Sequence, residues 1–521
     1  MAQVPPDSGP STEPITVLDL FAGCGGLTEG FHQFRPGAGG WPVFRSVGAV
    51  EWDRDAAASY AVNFGKASSR HAYFQPPQIF CRDIVGWRPS WLHDEVDVVV
   101  GGPPCQGFSG LNREGVGAER NKLWQEFIRV VVEVQPKVFV IENVDRFVRS
   151  PEFADLQARI GNGDLKNYEL REPPHTTAGD SKRQRARLYL LNAADYGAMQ
   201  VRHRAIVIGV RTDVDDLRPI RMRYPMPTHS KARVDNPAQP GGLRIAGPRP
   251  AWITVGALFG QTSQMMLSGT KLPANRRCRI VELQSDRRVP VDFEGPFRTS
   301  ELHFTRNPEP ISLARYEAIP PAGNRKDLRG RYVCRFEDGS HVILEKVGAW
   351  RDPDGGLDPL GVYRKVVGGK PVPDCIFHVH LEDGNGLLVR ERTGRDKAQA
   401  FRVLAFQRGS GRRAVLEYLS TDSWDAHDAG AADVMGRMSP IAPSVTIRTE
   451  FFKPEKGRYL HPIANRPITH YEAAKIQGFP DDFLWCGSKT AIAKQIGNAV
   501  PVPLGVAIAQ AIYEYLRPSR P

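Results

Sequence analysis

Cys105, Glu142, Arg202 and Arg204 are the side chains here whose types and spacing could do chemistry. Cys105 lies in Gly101-Gly102-Pro103-Pro104-Cys105-Gln106-Gly107-Phe108-Ser109, straight after the apolar run Val96-Asp97-Val98-Val99-Val100. That run reads as a short buried strand. The glycines allow a tight exit from it, and the prolines stiffen the turn. A thiol on a rigid loop at the C-terminal end of a strand sits where open α/β sheets bind ligands, and it can act as a nucleophile. The same stretch also fits a small buried thiol in a structural turn. Glu142 follows a second strand, Val138-Phe139-Val140-Ile141. If the two strands are neighbours, Glu142 and Cys105 share one cleft. In Gln200-Val201-Arg202-His203-Arg204 the arginines alternate by two, so both face one side of an extended segment. The other reading is a pair of exposed arginines at a strand edge.

These groups need a scaffold, and the chain offers one. Ile15-Thr16-Val17-Leu18-Asp19-Leu20-Phe21 reads as a strand, runs into Ala22-Gly23-Cys24-Gly25-Gly26-Leu27, and a helix follows from Thr28. Strand, glycine turn and helix is how Rossmann-like folds hold a nucleotide cofactor. The Gly-x-Gly-Gly spacing disfavours a dinucleotide pyrophosphate, and such a stretch also fits a plain turn. A second strand, Ser46 to Val50, ends in Glu51. An acid there can accept ribose hydroxyls, or it can favour a helix start together with Asp53 and Asp55. A third strand near Ile79-Phe80-Cys81 leads to Asp83-Ile84, and Asp83 suits an adenine amino group or a turn cap. After Cys105 the glycines 107, 110, 115 and 117, with Asn112, Arg113 and Arg120, suggest a segment able to close over a substrate. Leu123, Phe127, Val130, Val131 and Val134 then recur at helical spacing.

A chain of 521 residues allows roughly two to four domains. No apolar run is long enough to span a bilayer. Met1 to Pro14 is polar, reads as a flexible leader and lacks the apolar centre of a signal peptide. The seven cysteines (Cys24, Cys81, Cys105, Cys278, Cys334, Cys375, Cys486) are odd in number and form no Cys-x-x-Cys pair. That argues against a disulfide framework and a zinc ribbon, and it suits a reducing cytoplasm. The net charge of +11 suits a polyanion such as nucleic acid. From about Pro240 to Phe452 the strand–helix alternation gives way to short β-like pieces: 332–336, 341–344, 375–381, 386–389, 401–406 and 414–419. This reads as a separate strand-rich domain. The end returns to α/β, with a Thr-capped helix from Thr469 to Gln477, then Gly497-Asn498-Ala499-Val500-Pro501 and a closing helix from Leu504 to Tyr515.

Taken together, these stretches resemble one family, the C5-cytosine DNA methyltransferases of the bacterial modification type. The resemblance rests on the glycine turn Asp19 to Leu27, on Gly102 to Ser109, on Glu142-Asn143-Val144, on Gln200 to Arg204, and on the closing stretches Arg466 to Pro480 and Lys494 to Pro503, in the family's order. It implies an α/β fold: a Rossmann-like S-adenosylmethionine-dependent methyltransferase domain with a smaller, strand-rich target-recognition domain inserted before the C-terminal motifs. The divisions expected are a leader (1–14), a catalytic α/β domain (15–239), a target-recognition domain (240–452) and the C-terminal part of the catalytic domain (453–521). Residues of about 330–425 look like additional material within the recognition domain, either a larger DNA-reading surface or a structural insertion with a role outside base reading.

The resemblance also assigns roles. Cytosine C5 is a poor nucleophile, and a thiolate adding at C6 turns the ring into an enamine that can attack a methyl sulfonium. Cys105 would supply the thiolate, and Glu142 would hydrogen-bond N3 and the exocyclic amine. Arg202 would hold the O2 side of the ring, and Arg204 would orient the site. The cofactor implied is S-adenosyl-L-methionine, with Phe21, Ala22, Gly23, Cys24, Gly25, Gly26, Leu27, Glu51, Trp52, Asp83, Ile84, Pro103, Leu123, Asn498, Ala499 and Val500 around it. No metal is implied. Gln106, Ser109 and Arg113 would contact DNA from the closing loop behind a flipped base. The partners expected are double-stranded DNA and, as a candidate, a cognate restriction endonuclease, with no membrane and a monomeric, cytoplasmic, nucleoid-associated enzyme. The rivals are an RNA cytosine methyltransferase, a silent DNA-binding or regulatory protein of the same fold, and a nicotinamide-dependent oxidoreductase. The long variable region, the retained reactive groups and the glycine spacing respectively disfavour them.

Overall fold

The computed structural model describes residues 13–104, 123–232, 249–348, 358–426 and 433–517, apart from 38, 67, 69, 71, 72, 219, 266, 268, 270, 281, 286–291, 337, 383–385, 394–399 and 406–413. Residues 1–12 of the expected leader and the whole stretch from Cys105 to residue 122 lie outside the described residues.

The strands β1 (Ile15–Leu20), β2 (Phe44–Glu51), β3 (Gln78–Cys81), β4 (Val98–Gly101) and β5 (Val138–Asn143) run parallel to their neighbours. Next come β6 (Tyr168–Leu170), β7 (Leu190–Asn192) and β8 (His203–Arg211), with β8 antiparallel to β5 and with β6 and β7 antiparallel to β8. After β9 (Arg277–Arg279), the short β10 (Leu283–Gln284) joins the far edge beside β3. The order across the sheet is β10-β3-β2-β1-β4-β5-β8-β6. Every residue of β1 and β4 is buried, because both faces of the sheet are covered. Strand order reverses at β1, so the carboxyl ends of β1 and β4 open the crevice in which such sheets place ligands.

The first and last helices of the sheet domain, Gly26–Gln33 and Val502–Leu516, cross closely. A Cβ on Gly30 would lie 2.6 Å from Gly505 Cα, so only glycine permits the approach. A second core joins helix Arg54–Phe64 to distant segments, with Tyr60 and Phe64 beside Phe259, Phe293, Phe304, Phe479 and Trp485. The segment 255–304, which includes β11 (Asp292–Glu294) and β12 (Phe297–Arg298), therefore packs with the C-terminal part of the catalytic domain.

The smaller sheet comprises β13 (Arg331–Phe336), β14 (His341–Gly348), β15 (Asp358–Val367), β16 (Lys370–Glu382), β17 (Gly386–Thr393), β18 (Ala400–Ala405) and β19 (Ala414–Tyr418). Its order is β18-β17-β16-β15-β14-β13-β19, antiparallel throughout. It spans residues 331–418. Val333, Ile343 and Val366 pack on helix Pro310–Ala318, while Cys334, Leu344, Tyr363 and Phe377 form a cluster of their own. A final two-residue strand, β20 (Leu484–Trp485), pairs with β12. Among the described residues no single helix is long and apolar enough to cross a membrane.

Candidate active site

The glycine turn is built by positive φ angles at Phe21 (54°), Gly23 (56°) and Gly25 (91°). Phe21 is not a glycine, so this is a strained turn that the surroundings must hold. Glu51, at the end of β2, does so. Its Oε2 accepts the Gly23 N–H at 2.8 Å and its Oε1 accepts the Asp53 N–H at 2.7 Å. Gly25 and Gly26 are packed tightly: a Cβ on Gly25 would lie 2.4 Å from the Phe64 ring, and one on Gly26 would lie 2.8 Å from Val500 O. Gly23 is the contrast, with no described neighbour within 4 Å of that position, so its face is open. Ala499 and Val500 are buried and close the turn from behind, and Asn498 is exposed beside them.

Trp52, just past Glu51, is 52% exposed and offers an aromatic face at the mouth. Asp83 is exposed and its Oδ1 accepts the Val85 N–H at 3.0 Å, so it caps a turn, while Ile84 is buried. Leu123 is half-buried at the start of helix Leu123–Val134. Cys24 is buried and its Sγ lies 4.0 Å from Gln495 O; burial pushes its thiol up, so it packs and does not react. One group to which the sequence gave no role stands out. Asp19 on β1 is buried and receives a hydrogen bond from Thr28 Oγ1. Desolvation, opposed by that bond and reinforced by the Glu51 charge, pushes its carboxyl up to about 7.

β4 and β5 are parallel neighbours, so the loops that leave them lie side by side. Asn143 Nδ2 donates to Pro103 O at 3.0 Å and ties the two together. Gly102 and Glu142 meet closely; a Cβ on Gly102 would lie 2.8 Å from Glu142 Oε2. Arg204 Nε lies 2.8 Å from Glu142 Oε1, with both side chains largely buried. Cys105, Gln106, Ser109 and Arg113 lie outside the described residues, but Pro104, which precedes Cys105, is described and places the loop's start at this pair.

Arg202 departs from its expected role. It is 1% exposed, and its Nη1 and Nη2 donate to Ile447 O and Gly497 O, each at 2.8 Å. The two arginines do not form one exposed pair. The backbone of Arg202 continues the pairing of β7 with β8, with the Ala193 N–H donating to Arg202 O at 2.9 Å, while just before it the Val201 N–H donates to Ser444 O and the Ser444 N–H to Met199 O, both at 2.8 Å. Gln200, fully buried, bonds Gln477 Oε1 at 2.5 Å, and Gln477 in turn bonds Ile496 O at 2.5 Å. Gln200 and Arg202 thus fasten the segment at Ile447 and helices His470–Ile476 and Lys489–Asn498 to the sheet. Gln477 was legible only as a helix end. Among the described residues no group of three or more His, Cys, Asp or Glu could hold a metal ion.

A family model described as C-5 cytosine-specific DNA methylase matches residues 15–239 and 384–514, more than half of the chain. The Type II methyltransferase M.AgeI of Thalassovita gelatinovora is 26% identical over 507 residues, which cover 96% of this chain and 99% of that protein. The Type II methyltransferase M.DdeI of Desulfomicrobium norvegicum is 24% identical over 512 residues, covering 96% and 89%. The chain also matches DNA (cytosine-5)-methyltransferase PliMCI of Paracentrotus lividus at 25% over 529 residues, but it spans 28% of that protein's length. Among solved structures, an E. coli protein described as a DNA modification methyltransferase encoded within a prophage superposes with a TM-score of 0.51 at 18% identity, covering 96% of this chain and 99% of that one. That likeness is one of fold.

Proposed function

Because the chain belongs to the C-5 cytosine-specific DNA methylase family, we propose that it methylates C5 of a cytosine flipped out of a specific duplex sequence, as the modification arm of a restriction–modification system. The observation that carries this reading is the Glu142–Arg204 pair, held at 2.8 Å against the Gly102-Pro103-Pro104 turn. S-Adenosyl-L-methionine would supply the methyl group as a sulfonium. The residues present fit that donor: an open backbone face at Gly23, the aromatic face of Trp52, the Glu51 and Asp83 carboxylates, and Asn498 beside the turn.

Cys105 adds as a thiolate to C6 of the target ring, and once C5 has taken the methyl group, loss of the C5 proton expels Cys105 and restores the ring. Glu142 hydrogen-bonds N3 and the exocyclic amine, and so absorbs charge as it develops. Arg204, not Arg202, is the arginine at the ring side, because Arg202 spends both Nη groups on carbonyls. Arg202 is a positioning residue. The target base must leave the stack to reach these groups, and Gln106, Ser109 and Arg113 close behind it. The strand-rich unit reads base edges in the groove while arginines position the phosphates. The enzyme acts in the cytoplasm on double-stranded DNA, with a cognate endonuclease as its counterpart.

Bisulfite sequencing of DNA from a methylation-free host tests this directly. Cytosines protected in one short sequence context, and lost with Cys105→Ala, are the expected result. Protection that survives Cys105→Ala overturns the mechanism. No protection, with soluble protein that still binds the methyl donor, overturns the DNA substrate.

A further inference from the structure

A second cavity, of about 200 Å³, opens at the amino end of β2, between the carboxyl ends of helices Gly26–Gln33 and Arg54–Phe64. It lies at the end of the sheet opposite the glycine turn. His32, Arg45, Ser46, Lys66, Ser68 and Gln75 supply its polar lining, and among the described residues no carboxylate lines it. Of the acids nearby, Glu29 is paired with Arg70 at 3.0 Å, and Glu282 packs against Gly65.

Cations at helix carboxyl ends ordinarily compensate orphan carbonyls. Here other groups meet part of that demand. Arg35 Nη1 donates to His32 O at 2.5 Å and to Phe34 O at 2.8 Å, and Ser68 Oγ donates to Asn63 O at 2.5 Å. Arg45 belongs to a strand, and its buried Nε has no hydrogen-bond acceptor. A buried N–H without an acceptor is costly, and an oxyanion in the adjoining cavity would satisfy it.

A row of buried polar side chains leads from the cavity toward the far side. His32 Nε2 lies 2.9 Å from Ser46 Oγ, and farther along the Tyr60 hydroxyl lies 3.3 Å from Thr28 Oγ1. Thr28 Oγ1 donates to Asp19, whose carboxylate is close enough to Glu51 to feel its charge. Glu51 holds the Gly23 N–H. His32, Ser46, Tyr60, Thr28 and Asp19 are all buried, so this row of polar groups lies within the core.

We propose that this cavity binds a small phosphate-type oxyanion through Arg45, Lys66 and His32, and that its occupancy is transmitted along this buried row to the glycine turn. The binding half stands alone; the transmission half rests on the glycine turn being the donor site.

Isothermal titration of the full chain with inorganic phosphate, no donor present, tests the site. Saturable binding at one site, weakened at least tenfold in Arg45→Met and in Lys66→Met, is expected. No saturable binding, or equal affinity in wild type and both variants, overturns it. A 5′-phosphorylated oligonucleotide that displaces phosphate assigns the site to a nucleic-acid phosphate; one that does not assigns it to the free anion. S-Adenosylhomocysteine affinity with and without saturating phosphate tests the transmission. A shift of at least threefold is expected in wild type, and none in Tyr60→Phe, which keeps phosphate binding. Equal affinities in wild type overturn the transmission and leave the donor reading intact. Failure of wild type to bind S-adenosylhomocysteine at all overturns the donor reading and the transmission together.

Discussion

Arg466–Glu472 and Arg204–Glu142 are the same chemical pair put to opposite uses. Arg466 grips Glu472 with two contacts, at 2.7 and 2.9 Å, and Glu472 is fully buried. The same carboxylate also accepts the Thr469 N–H at 2.8 Å and faces His461 at 3.5 Å. Burial alone would push its carboxyl up, but Arg466 outweighs that and holds it below the usual range. Every oxygen is spoken for, and the pair pins helix His470–Ile476 to the chain before it. Glu142 has a single ion-pair contact, through Oε1. Its Oε2 faces Gly102, and among the described residues nothing hydrogen-bonds it. A closed pair builds the fold; an open pair is free to bind.

That contrast can be broken by experiment. Glu142→Gln is expected to lower single-turnover methylation by about 10²–10⁴-fold, the usual worth of a positioned acid, with the thermal midpoint near wild type. A collapse in stability instead would make this pair structural too. Arg466→Met is expected to cost roughly 3–5 kcal/mol in urea unfolding, since it strands a buried charge, and adding Glu472→Leu should recover most of the loss. No such rescue of activity is expected from a double replacement at 142 and 204. Gly102→Ala puts a methyl group against Glu142 Oε2 and is expected to cost on the order of tenfold or more in turnover through misplacement alone.

The pH response sharpens the same contrast. Backbone N–H groups of Ile463 and Ala464 donate to His461 Nδ1 at 3.0 and 2.9 Å, so its proton sits on Nε2 and the ring is neutral. Burial is the main cause that lowers it to about 4, against the pull of Glu472. The unfolded chain takes up a proton near 6.5 that the fold refuses, so stability is lost as pH falls from about 6.5 toward 4. His470, lowered to about 3 chiefly by burial, acts in the same direction. Thermal midpoints at pH 7 and 5 should show the loss. His461→Asn, whose amide oxygen can accept the same N–H groups, should flatten it. The smallest effect belongs to Lys494→Met, which removes the exposed pair with Asp53 at 2.7 Å and should change stability by at most about 1 kcal/mol.

The parallel strands were legible because burial on both faces leaves contiguous apolar runs, and the glycine turn and Glu142 follow from where those runs end. The Thr469 cap was equally legible, since capping is local, and the side chain does accept the Glu472 N–H. Arg202 was misread because its partners, Ile447 and Gly497, are remote in sequence and no local period reports them. The same is true of 255–304, which looked like part of a separate unit but shares a core with helix Arg54–Phe64. β15 escaped notice because Asp358-Pro359 and Gly361 break the strand pattern where the ladder itself bulges. The short β6 was hidden in a polar stretch, its pairing set by β8 and not by its own composition.

The meeting of Cys24 with Gln495, across 471 positions of sequence, has a consequence in time. Ribosomes add about 5–20 residues per second, so on the order of half a minute to a minute and a half separates the synthesis of these two partners. Through that interval the glycine turn has neither Val500 against Gly26 nor Gly505 against Gly30. A truncated product cannot complete the pocket, whatever else it folds. The turn is therefore completed only after helices Lys489–Asn498 and Val502–Leu516 have been made.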